Sequence, residues 1–90
     1  MPTVHIPTPL RSATDGNATV DIDGATVDDV LHALVETYPD LKANLYTEDD
    51  SLRQFVNLYA GDDDIRYRDG VDTELADDED LSIVPSIAGG

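Results

Sequence analysis

The residues with most chemical promise stand at the end of the chain, where Ala88, Gly89 and Gly90 place a terminal carboxylate on almost bare backbone. Three extended residues reach roughly 10 Å. Such an arm can enter a channel too narrow for any bulkier residue, and its carboxylate arrives first. Glycine also carries the largest ordering cost of any residue, and chain ends are commonly frayed. What stands in front of the arm therefore decides its meaning.

The other reactive residue types support no site. His5 and His32 are the only histidines, and neither has a hydroxyl or thiol partner at the spacing of a nucleophilic triad. Structural or neutral roles are expected for both, His5 on the non-core face of a strand and His32 off the apolar stripe of a helix. Asp62-Asp63-Asp64 and Asp77-Asp78-Glu79-Asp80 lack the central glycine and terminal glutamate of a calcium loop. They read as solvated turns, and no metal site is expected. Without cysteine the chain has no thiolate ligand, no disulfide and no cysteine nucleophile.

Composition narrows the field further. Ninety residues make one domain with a modest core. Twenty acidic against five basic residues, a net charge of −15, argue against nucleic acid, whose phosphates need clustered Lys and Arg. The acid is instead expected to reflect a high-salt cytoplasm, where about 1 M salt shortens the Debye length to about 3 Å, or to complement a basic partner. No stretch approaches a membrane span and no leader is evident, so a soluble cytoplasmic protein is expected.

The elements that must position the arm follow from pattern. Val4 and Ile6 alternate with Thr3, His5 and Pro7 as a first strand. A loop from Arg11 to Asn17 turns at Asp15-Gly16-Asn17, and Ala18 to Asp23 forms a second strand, antiparallel to the first. Thr26 and Asp29 open a helix in the manner of a capping box. Val27, Val30, Leu31, Leu34, Val35 and Tyr38 form its apolar stripe, and Pro39 stops it. Leu41 to Tyr46 suggests a further helical turn. Gln54 to Ala60 is a third strand rich in β-favouring residues, Ile65 to Tyr67 a short fourth, and Thr73 to Ala76 a crossing segment. Leu81 to Val84 is the last strand, near whose end Pro85 stands. A helix laid across one face of a mixed sheet follows from this order.

In the third strand, Val56 and Leu58 suit the core beneath the helix. Phe55 and Tyr59 then lie on the open face with Val84, near the root of the arm at Ile87. An exposed apolar cluster of this kind marks a docking patch, although a slip of one residue would reverse every assignment.

Ile6-Pro7-Thr8-Pro9-Leu10-Arg11, Phe55-Val56-Asn57-Leu58-Tyr59, Asp64-Ile65-Arg66 and Ser82-Ile83-Val84-Pro85 through Ala88-Gly89-Gly90 together resemble the MoaD/ThiS-like sulfur carriers of the ubiquitin fold. The likeness is strongest to the cysteine-biosynthesis carrier and the archaeal small modifier proteins, and it covers essentially the whole chain. It implies an α+β β-grasp domain over residues 1–87, with a mixed four- to five-stranded sheet, one main helix and a flexible tail over 88–90. It also implies a protein that is a substrate and not an enzyme. An E1-like enzyme using ATP and magnesium would adenylate the Gly90 carboxylate. A sulfur donor would then leave a thiocarboxylate there for an acceptor enzyme, or a target lysine would form an isopeptide bond. Since the chain already ends at Gly90, no processing protease is expected. Arg11 matches a basic family position, and the family meets its partners on the face expected to hold Phe55, Tyr59, Val84 and Ile87. The alternatives are a noncatalytic acidic β-grasp interaction domain, and the small subunit of a standing molybdopterin synthase.

Overall fold

The computed structural model describes residues 1–49, 51–53 and 56–85. Its frame is a five-stranded sheet in the spatial order β2-β1-β5-β3-β4. The strands are β1 (Thr3–His5), β2 (Thr19–Asp21), β3 (Val56–Ala60), β4 (Asp63–Asp64) and β5 (Asp80–Pro85). The last strand in sequence is thus the middle strand in space. It runs parallel to β1 through Thr3↔Asp80 to His5↔Ser82, and antiparallel to β3 from Ala60↔Leu81 to Val56↔Pro85. Beyond Ser82 its only described neighbour is β3. The expected antiparallel pair of β1 and β2 is present, in the register Val4↔Val20.

Helix α1 (Val27–Thr37) crosses one face of this sheet. Val27, Val30, Leu31 and Leu34 of the predicted stripe are fully buried, while Val35 and Tyr38 pack at its margin. Beneath them lie Val4, Ile6, Leu58, Leu81 and Ile83. Thr26 accepts the Asp29 amide at 3.1 Å, the threonine half of the predicted box. The crossing segment contributes too, since the Thr73 carbonyl accepts the Val27 amide at 2.9 Å and occupies another donor that a helix start leaves open. The chain before the helix also passes close to its first turn at Gly24, where a Cβ would stand 2.7 Å from Val30 Cγ2 and 2.9 Å from its backbone nitrogen. Tyr38 caps α1 ahead of Pro39, and α2 (Lys42–Leu45) follows a 3-10 turn over Pro39–Leu41.

Three expectations are corrected. The stretch from Arg11 to Asn17 is not a plain loop, because a 3-10 helix spans Thr8–Thr14 and buries Leu10 and Thr14. Proline in its first turn presets the backbone. The Thr14 hydroxyl ties it down by bonding to the carbonyls of Arg11 and Asn17. The fourth strand is Asp63–Asp64 and not Ile65–Tyr67, which forms a 3-10 turn. Nor is the whole Asp62-Asp63-Asp64 run a solvated connection, for Asp64 is only 8% exposed. The last two share a cause: the Asp64 carboxylate accepts the Arg66 amide at 2.9 Å and curls the chain out of the strand.

Among the described residues no helix is long and apolar enough to cross a membrane.

Candidate functional site

Side chains alternate across a sheet, so burying Val4, Leu58, Leu81 and Ile83 under α1 turns their neighbours outward. Strand register then builds one row across all five strands on the open face, Thr19–His5–Ser82–Tyr59–Asp64. Val84 lies one step nearer the C-terminal end of β5, opposite Asn57, and is 44% exposed. It stands diagonal to Tyr59, within reach of an aromatic ring on the same face. The predicted face assignment of β3 is therefore correct for Leu58, at the core, and for Tyr59, on the open side. Phe55, Ile87, Ala88, Gly89 and Gly90 lie outside the described residues.

Parallel pairing puts the C-terminal ends of β1 and β5 at the same end of the sheet. Arg11 belongs to that end. It is half-buried, and its Nε donates to the Ile6 carbonyl just after β1 at 3.0 Å. Part of its guanidinium thus holds the chain in place. His5 also has a structural task, with Nε2 standing 2.9 Å from Asp80 Oδ2 and linking β1 to β5 on the open face. His32 is exposed on α1, 3.6 Å from Asp28 and 6.3 Å between ring centroids from Tyr46. Nothing in either setting resembles a catalytic arrangement. Among the described residues no group of three or more His, Asp or Glu side chains is arranged to hold a metal.

What pattern reading missed lies beside β4. There Tyr59, Asp62, Asp63, Asp64, Arg66, Tyr67 and Arg68 line a cleft of about 600 Å³. Arg66 grips Asp64 through Nη2 at 2.7 Å and Nε at 3.2 Å, in addition to the amide bond already described. These contacts hold the Asp64 carboxyl below the usual aspartate range. The guanidinium hydrogen bonds act most strongly, the amide bond next, and burial opposes them. Arg66 is raised in turn, first by its bond to Asp64, then by that carboxylate's charge, with smaller contributions from Tyr67 and Tyr59. The Asp-x-Arg spacing was visible in the sequence, but a clamp between residues two apart needs the turn that it creates.

A carboxyl whose pKa is depressed on folding stabilises the folded state above its unfolded pKa, about pH 4, and loses that contribution as pH falls through the folded value. Asp64→Asn is therefore expected to lower stability to urea at pH 7, with the deficit shrinking well below pH 4. A deficit of equal size at both pH values would mean that the charge contributes nothing.

Comparison with known proteins agrees with this geometry. Residues 4–90 match the ThiS family. The sulfur carrier protein CysO of Mycobacterium tuberculosis is 37% identical over 90 residues, covering 98% of this chain and 97% of that one. Small archaeal modifier protein 3 of Haloferax volcanii is 37% identical over 68 residues, 76% of this chain and 73% of its own. In the crystal structure of the Amycolatopsis orientalis BexX/CysO complex, the matching chain superposes with a TM-score of 0.90 at 38% identity, each chain covered in full.

Proposed function

The chain belongs to the ThiS family, and on that premise we propose that it is a sulfur carrier or ubiquitin-like modifier acting through the carboxylate of Gly90. It is a protein carrier and not a catalyst. The observation that supports this reading most is the place of β5. This strand is paired on both sides through Ser82, and to Pro85 its described neighbour is β3. It is also the strand that leads in sequence into residues 86–90, and Val84 and Tyr59 share its open face. The core holds the strand, and the proposed role requires the residues after it to reach another protein.

A carboxylate is a poor electrophile. An E1-like partner supplies the missing leaving group: a Gly90 oxygen attacks the α-phosphate of ATP, pyrophosphate departs, and an acyl-adenylate remains. Magnesium serves that step on the enzyme and is not bound by this chain. The outer sulfur of a donor's persulfide then attacks the Gly90 carbonyl carbon and AMP leaves. A thiol cleaves the resulting acyl disulfide, oxidising itself into a disulfide with the donor and releasing a thiocarboxylate. The sulfur passes to an acceptor enzyme in the cytoplasm. In the modifier branch a lysine amine of a target protein attacks the adenylate instead, loses a proton and forms an isopeptide bond. The Haloferax volcanii relative named as a modifier supports keeping that branch.

The test is the intact mass of the protein recovered from its own cells. An oxygen-to-sulfur exchange localised to Gly90 is the expected result, and Gly-Gly remnants on lysines of other proteins would assign the modifier branch. An ordinary carboxylate, even with activating enzyme, ATP and sulfur donor supplied, would overturn both and return the noncatalytic interaction domain.

A further inference from the structure

Tyr67 is 86% exposed, an unusual position for a large ring at the end of a hydrogen-bonded turn. Below it Ile65 is buried in the core, and the Asp64–Arg66 clamp fixes the 3-10 turn that carries it. The ring therefore stands outward with little backbone freedom left to lose. A binding anchor gains affinity from such preorganisation.

Charge in the same cleft is unevenly balanced. Arg66 is committed to Asp64, and Arg68 donates to Glu79 at 3.2 Å. Asp62 and Asp63 are exposed and have no cationic partner among the described residues. An aromatic face beside two unneutralised carboxylates suits one chemistry in particular. A guanidinium stacks on the ring and donates through its edge to the acids, which a compact ammonium does less well.

The cleft also continues the open face. Tyr59 lines it, Val84 stands diagonal to Tyr59, and β5 is described one residue beyond Val84, to Pro85. We propose that the enzyme activating Gly90 extends its footprint along this strip to Tyr67, and presents there an arginine that stacks on the ring and pairs with Asp62 and Asp63. This rests on the function proposed above. It adds the chemistry of the partner's contact surface.

The test is adenylation of the full chain by the adenylating enzyme of the same organism, followed by ATP–pyrophosphate exchange. Tyr67→Ala is expected to raise KM for the chain about thirtyfold, the scale of a desolvated cation–π contact, with kcat unchanged because the tail is untouched. Tyr67→Phe keeps the ring and should stay near the parent value. Joint replacement Asp62→Asn and Asp63→Asn should also raise KM, by a factor that shrinks as salt is added. All three residues are exposed, so unfolding curves should overlay and report that the fold is intact.

KM values within twofold of the parent for both Tyr67→Ala and the double variant would overturn the inference and leave the proposed function standing. Sensitivity to the ring without sensitivity to the aspartates would overturn the arginine. A parent chain that is not adenylated at all would remove the function, and the inference with it.

Discussion

Gly90→Phe is expected to abolish activation while leaving the domain folded. Under the proposed function the acyl carbon must lie against the nucleotide, and only a hydrogen at Cα permits so close an approach of backbone. The loss should be at least about a hundredfold in the rate of ATP–pyrophosphate exchange, equivalent to about 2.7 kcal/mol of barrier. The residue lies beyond β5, which the structure describes to Pro85, so thermal unfolding should match the parent. Exchange at the parent rate by the Phe variant would sink the role of Gly90. Lost exchange together with a lowered Tm would show only that the substitution had damaged the domain.

The second large effect concerns Leu81, which is fully buried and is the ladder partner of both Val4 and Ala60. One side chain thus meets both neighbouring strands beneath α1. Leu81→Ala should cost about 2–5 kcal/mol, a large part of the roughly 5–15 kcal/mol that holds a domain together. Tm should fall on the order of 10–30 °C for a chain of this size. Val84→Ala, three residues along the same strand but on the open face, should change stability by less than about 0.5 kcal/mol. Denaturant unfolding of the two variants tests the contrast. A Leu81→Ala loss below about 1 kcal/mol would mean that β5 does not carry the sheet.

Much of this architecture was legible before any coordinates. Thr26, Asp29 and Pro39 bracket α1 because caps and prolines act locally, through the backbone groups beside them. The alternation of Val4 with Ile6, and of Val56 with Leu58, identified the core face because burial imposes a period of two. What escaped notice depends on side chains closing on backbone. The Asp64 carboxylate shifted the fourth strand two residues earlier and put Tyr67 at the end of a turn. Thr14 similarly converted a supposed loop into a 3-10 helix. In the candidate site Tyr59 and Val84 could be assigned from strand parity alone. The cleft that joins Tyr59 to Tyr67 could not, because it depends on how β4 ends. Arg11 was flagged by resemblance, but its bond to the Ile6 carbonyl is a fact of geometry with no sequence signature.

The order of the strands has a consequence for synthesis. Because β5, the last of the described strands in sequence, fills the centre of the sheet, the sheet cannot be completed piecemeal during synthesis. Pairings of high sequence separation must wait for residues 80–85, and a fragment that stops before them has β1 and β3 with nothing between. Such a fragment exposes its apolar faces and is open to proteases and chaperones. Under the proposed function, such a fragment does not present the folded open face to an activating enzyme. Topology thus makes the folded sheet conditional on β5, so that a chain completes its fold only when the strand leading into residues 86–90 is present.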